Sequence, residues 1–140
     1  MAFSSIYLFL SGLFRNTNLI SRITENESQM KYSESLKKNK DFQIVYRNGK
    51  SYANRYLVMY IKENGTEMNR IGISVSKKVG NSVVRHHLTR LIRESYRFQE
   101  ANFQFGYDIV VVARVSAKDK GYHDIDSALV HLGKLHEIYK

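Results

Sequence analysis

Between Lys77 and Arg97 the chain reads KKVGNSVVRHHLTRLIRESYR, a turn followed by a helix whose two sides differ in chemistry. At about 100° per residue, Val84, Leu88, Leu91, Ile92 and Ser95 share one side, which is stable only against a hydrophobic core. Arg85, His86, Thr89, Arg90, Arg93 and Arg97 take much of the other. A fold that hosts this helix must cover the first face and leave the second to solvent or to a polyanion. The window holds six Lys and Arg against Glu94 alone, more than half of the net charge of +9. Cations at these spacings suit neighbouring phosphates.

At 140 residues the chain forms one domain around one core. Its 22 basic and 13 acidic residues predict binding to nucleic acid or another polyanion. The absence of cysteine excludes a disulfide framework and any thiolate metal site, and fits a cytoplasmic protein. No proline and only eight glycines argue against a linker-rich chain.

Charge divides the chain once. Residues 1–29 contain Arg15, Arg22, Glu25 and Glu27, which cancel, so the whole excess belongs to residues 30–140. The apolar run from Phe3 to Phe14 is too short to span a bilayer, and no Lys or Arg precedes it as a secretory signal requires. Residues 1–29 therefore read as an appended, poorly ordered leader, with Met30 a candidate biological start, 30–140 the functional domain, and no membrane partner.

Downstream, the punctuation is regular. Phe42, Val45 and Tyr46 have helical spacing, and Gly49 stands just past the helix end. Tyr56 to Ile61 and the alternating Ile71, Ile73 and Val75 read as strands. Asn64-Gly65 between them predicts an antiparallel hairpin. Asn81 or Ser82 caps the basic helix, which runs to about Phe98, and Gly80 reads as a position of special backbone geometry. Tyr107 to Ala113, YDIVVVA, is a strand buried on both faces. A last helix repeats Ile125, Ala128, Leu129, Leu132 and Leu135. The predicted order is α-β-β-α-β-α in a single α+β domain.

Several chemistries fail on spacing. VGNS lacks the form of a Walker loop, and no GxGxxG occurs, although the helix N-terminus still offers amides to a phosphate. His86 and His87 are adjacent and point about 100° apart, so they cannot grip one metal ion as an i, i+4 pair does. No carboxylate pair accompanies them for acid-base work. The chain thus reads as a binder with no catalytic residue and no metal site of its own. Phe42, Tyr46, Tyr56 and Tyr60 supply rings near the basic helix, with Tyr56, Val58 and Tyr60 on one strand face. Rings of this kind either fill a core or stack unpaired bases.

The run SVSKKVGNSVVRHHLTRLIRE, preceded by LKKNKDFQIVYRNGKSYANRYLVMY, resembles the protein component of bacterial ribonuclease P over nearly all of Tyr32 to Tyr139. That family assists a catalytic RNA in removing the 5′ leader from precursor tRNA. The resemblance implies an α/β sandwich of the ribosomal-protein-like kind, with a left-handed crossover around the basic helix against the usual rule. It implies that Phe42, Tyr46 and Tyr60 line a cleft for the single-stranded leader, with Arg55 adding a cation at the sheet edge. Lys77, Lys78, Asn81, Arg85, His86, Thr89, Arg90 and Arg93 would face the catalytic RNA. Mg²⁺ would be held mainly by that RNA, with no obligate protein partner.

One departure concerns charge. Arg85-His86-His87-Leu88-Thr89-Arg90 replaces a motif that in the family usually carries an asparagine, a further arginine and a lysine. Two formal charges are lost at neutral pH, so RNA affinity is expected to strengthen more steeply below about pH 6.5 than in relatives with the usual motif. Two alternatives remain on the residues alone: a basic ribosome-associated protein and a DNA-binding protein, neither with a processing role.

Overall fold

The computed structural model describes residues 30–140; the leader reading of residues 1–29 lies outside the described residues. A five-stranded sheet forms the middle layer, built from β1 (Ser33–Ser35), β2 (Lys50–Ala53), β3 (Leu57–Glu63), β4 (Asn69–Ser74) and β5 (Tyr107–Ala113) in the order β1-β4-β5-β3-β2. Helix α1 (Asn39–Asn48) lies on one face. Helices α2 (Ser82–Gln99) and α3 (Tyr122–Leu135) pack together on the other. The chain is the α+β sandwich expected from its sequence.

Strand β5 explains the layering. Ile109, Val111 and Ala113 point into the main core with Leu57, Met59, Ile61 and Ile71, beneath Leu88, Ile92, Leu129 and Leu132 of the two helices. Val110 points the other way, into a smaller cluster with Leu36 and Val45 under α1. A strand apolar on both sides is stable only inside a sheet covered on both sides.

That same fact overturns the predicted hairpin. β3 and β4 are not neighbours: β5 lies between them, antiparallel to β3 (Leu57↔Ala113 through Glu63↔Tyr107) and parallel to β4 (Arg70↔Asp108 through Ser74↔Val112). The Asn64-Gly65 signal reports a genuine local reversal, with Gly65 at φ 71° and Asn64 accepting from the Thr66 amide at 2.9 Å. It carries no information about which strand fills the space beside β3. The burial of β5 on two faces decides that.

Two further strands went unpredicted. β1 (SES) joins β4 in parallel, and β2 (KSYA) joins β3 antiparallel. Both are short edge strands with mostly exposed side chains, so they leave no apolar alternation to read. α2 lies in the crossover that joins the adjacent parallel strands β4 and β5. α3 buries Ile125, Ala128, Leu129 and Leu132 as expected, but Leu135 is exposed. The chain turns at Glu137 (φ 62°) and Ile138 takes the buried place.

Candidate nucleic-acid interface

The basic helix begins where Asn81, in extended conformation, accepts a hydrogen bond from the Val84 amide at 3.0 Å. This side-chain oxygen is committed to the cap. Gly80 has no positive φ; a Cβ there would stand 2.8 Å from Val84 Cγ1, so the residue is small because α2 turns back over it. The expectation of special backbone geometry is corrected to one of close approach.

Leu88, Ile92, Ser95 and Tyr96 form the buried side of α2, with Val84 and Leu91 partly buried beside them. Tyr96 escaped the sequence reading. Its hydroxyl lies 2.8 Å from Ser33 Oγ and accepts from Asn69 Nδ2 at 3.3 Å, tying α2 to β1 and β4. Burial pushes its phenol pKa above the ordinary value, against the pull of those two hydrogen bonds. Ser95 donates to Asp126 Oδ1 at 2.7 Å, which fixes α2 against α3.

On the outer side Lys77, Lys78, His86, His87, Arg90 and Arg93 are exposed, and Arg85 and Thr89 are half-buried. Thr89 Oγ1 donates to the Arg85 carbonyl at 2.8 Å. The Arg85 Nε is buried without a hydrogen-bond partner among the described residues. Arg97 differs from the rest of this face. It pairs with Glu94 at 2.9 Å and lies 4.1 Å from the Phe98 ring centroid.

No acidic residue occupies the first turn of α2, and two lysines precede it. A helix N-terminus carries a partial positive charge and is stabilised by acids, so this placement opposes folding locally and favours an incoming anion. The imbalance is general. Arg15 and Arg22 fall outside the described residues, and of the 20 other Lys and Arg only Arg70 and Arg97 form ion pairs with described residues.

The second part of the site is a cleft between α1 and the sheet. Phe42 and Tyr46 of α1 have ring centroids 6.3 Å apart, and Tyr46 meets Tyr60 of β3 edge-on at 4.9 Å. All three are half-buried over Leu36, Val45 and Val110. Gly72 of β4 makes room for them: a Cβ there would lie 2.6 Å from Phe42 Cζ. Glycine inside a strand signals such an approach, and that sign was available in the sequence.

Nearby, Arg70 donates twice to Asp108, at 2.8 and 2.6 Å, and lies 3.7 Å from Asp41. Burial alone would raise the Asp108 carboxyl pKa. The Arg70 and Asn64 hydrogen bonds outweigh it and hold the group below the usual carboxylate value. This cation is neutralised within the fold.

The structure therefore brings Phe42, Tyr46 and Tyr60 together and arrays Lys77 through Arg93 along one surface. It separates two other residues from the rings. Tyr56 packs against the core under α2 and α3, not on the face of Val58 and Tyr60, because it precedes β3 and escapes the strand alternation. Arg55, just before it, lies over that ring, its Cζ 5.6 Å from the Tyr56 centroid. Among the described residues no three His, Asp or Glu side chains converge as metal ligands, and no helix is long and apolar enough to cross a membrane.

The sequence profile described as Ribonuclease P matches residues 30–136. The chain belongs to the ribonuclease P protein family. A ribonuclease P protein component from Lachnoclostridium phytofermentans is 61% identical over 106 residues, covering 76% of this chain and 91% of that protein. One from Clostridioides difficile is 49% identical over 107 residues, covering 76% and 94%. Among solved ribonuclease P proteins, that of Staphylococcus aureus is 39% identical with a TM-score of 0.71, covering 77% of this chain and 99% of its own. That of Thermotoga maritima is 30% identical with a TM-score of 0.67, covering 72% and 96%.

Proposed function

We propose that this chain is the protein subunit of ribonuclease P and binds both the catalytic RNA and the 5′ leader of precursor tRNA. The holoenzyme is an endoribonuclease of tRNA maturation. One observation carries the division of labour: the cations from Lys77 to Arg93, which form no ion pair among the described residues, line α2 and its turn on one side of the sheet, and a cleft walled by Phe42, Tyr46 and Tyr60 lies on the other. The face suits a folded RNA backbone, since each neutralised phosphate releases counterions. The cleft suits an unpaired strand, because base-aromatic stacking contributes about 1 to 3 kcal/mol per base without regard to sequence.

Lys77, Lys78, Arg85, His86, Arg90 and Arg93 meet phosphates of the catalytic RNA, and Thr89 lies among them. Asn81 holds the helix start with its side-chain oxygen and keeps its amide N–H for RNA. Mg²⁺ supplies the Lewis-acid chemistry of phosphodiester cleavage and is held mainly by RNA. The protein raises substrate affinity and screens repulsion between two RNAs. Its place is the cytoplasm, in keeping with a chain free of cysteine.

The test is cleavage of a leader-bearing precursor tRNA by bacterial ribonuclease P RNA at low Mg²⁺, with and without the full chain. Stimulated cleavage at the mature 5′ end is expected. RNA binding without stimulation overturns the processing role.

A further inference from the structure

The segment Ala53-Asn54-Arg55 leads from β2 into β3, and its local structure is well tied. Asn54 Oδ1 accepts from the amides of Tyr56 and Leu57 at 3.2 and 3.0 Å, while its Nδ2 donates to the Ala128 carbonyl of α3 at 2.9 Å. The segment after β5 is stitched to the same turn. The Arg114 amide donates to Tyr56 O at 2.9 Å, its guanidinium to Asn54 O at 2.7 Å, and Ser116 Oγ to Arg55 O. The β2–β3 turn and the β5–α3 connection thus form one platform.

This platform gathers two cations around one ring. Arg55 Cζ and Lys120 Nζ each lie 5.6 Å from the Tyr56 centroid. Lys118 is exposed on the same connection. Among the described residues none of the three forms an ion pair, and Asp119 is the one acid among residues 114–121. Tyr56 itself is only half exposed, with its other contacts in the core, so it spaces the cations and does not offer a stacking face.

Topology joins the platform to the basic turn before α2. β4 and β5 run parallel and β3 antiparallel, so residues 54–56, 75–81 and 114–121 all leave the same end of the sheet. Adjacent strands are about 4.8 Å apart, which makes this end a continuous rim. At the other end residues 64–68 and 100–106 contain Glu67 and a buried Glu100, with Lys31 and Lys140 bonded beside them.

We propose that Arg55, Lys118 and Lys120 grip a second stretch of RNA sugar-phosphate backbone, separate from the one met by α2. This rests on the RNA-binding reading above and extends it. A rim of unpaired cations continuous with Lys77 and Lys78 fits a polyanion that crosses the sheet end, and Arg114 serves to hold the platform.

The experiment measures affinity against salt for the full chain and for the double variant Arg55→Ala/Lys120→Ala. One arm titrates ribonuclease P RNA with the protein, and the other titrates precursor tRNA with the assembled holoenzyme. Loss of two phosphate contacts should make the log-log slope shallower by about 1.4 to 1.8 in one arm, with an unchanged thermal midpoint. The charge-retaining Arg55→Lys/Lys120→Arg should restore the slope. The arm that responds identifies which RNA is held. Unchanged slopes in both arms overturn the proposal. Cleavage stimulation by the unsubstituted protein is read separately, so a failed processing role is distinguishable from a failed rim.

Discussion

Gly72 illustrates how one missing methyl group shapes a site. Phe42 rests where a β4 side chain would stand, and the ring can wall the cleft only because nothing projects from residue 72. Gly72→Val should displace Phe42, lower stability by about 1 to 3 kcal/mol through overpacking, and weaken crosslinking of an unpaired leader to α1; urea midpoints and crosslink yields check both parts. His136 sets a pH limit of a different kind. Its Nε2 lies 2.8 Å from Met59 O and its ring meets Tyr52 edge-on at 4.7 Å, with Nδ1 buried and unpartnered. Burial lowers its pKa, and the Met59 hydrogen bond offsets this only in part. The unfolded chain therefore takes up the proton first, near pH 6.5, and the folded state loses stability as pH falls below that value until its own lower pKa is passed. Thermal midpoints should drop between pH 7 and 5, and the drop should be smaller in His136→Gln.

At the scale of elements, Asn54 acts as a clasp between the β2–β3 turn and α3. Asn54→Ala removes several hydrogen bonds at once and should cost about 1 to 3 kcal/mol, measurable as a shift in the denaturant midpoint. Elements with strong periodicity were legible from sequence: α1, α2, α3, β3, β4 and the doubly buried β5 all stand where their apolar spacing put them. β1 and β2 were not, because three or four exposed residues at a sheet edge are held by backbone pairing alone. The β3–β4 pairing was misread for a related reason, since a turn signal is local and strand neighbours are chosen by burial. In the site, α2 showed itself through charge and the rings through spacing. The packing of Tyr56 on the other side of the sheet from Tyr60 depended on where β3 begins, and the hydrogen bonds that define that start come both from Asn54 and from residues 58 or more positions away, such as Arg114 and Ser116.

For the molecule as a whole, nearly all cationic charge is held in reserve, and this makes salt the natural probe. Six contacts along α2 and its turn predict a log-log slope of about −4 to −5 for binding the catalytic RNA, and the rim contributes about 2 to 3 to the slope of whichever RNA it holds; titrations of each RNA over a range of KCl concentrations check both. A near-flat response would mean that the charge serves only solubility. The insertion of β5 between β3 and β4 has a consequence for how the protein is made. Glu63 must await Tyr107, its partner across the sheet, and at translation rates of about 5 to 20 residues per second that wait lasts about 2 to 9 s. Throughout it the newborn chain holds β3 and β4 with only their short edge partners β2 and β1 and without the central strand that joins them, so the choice of a central strand encoded late makes the ribosome's pace, and the chaperones near its exit, part of the folding environment of this subunit.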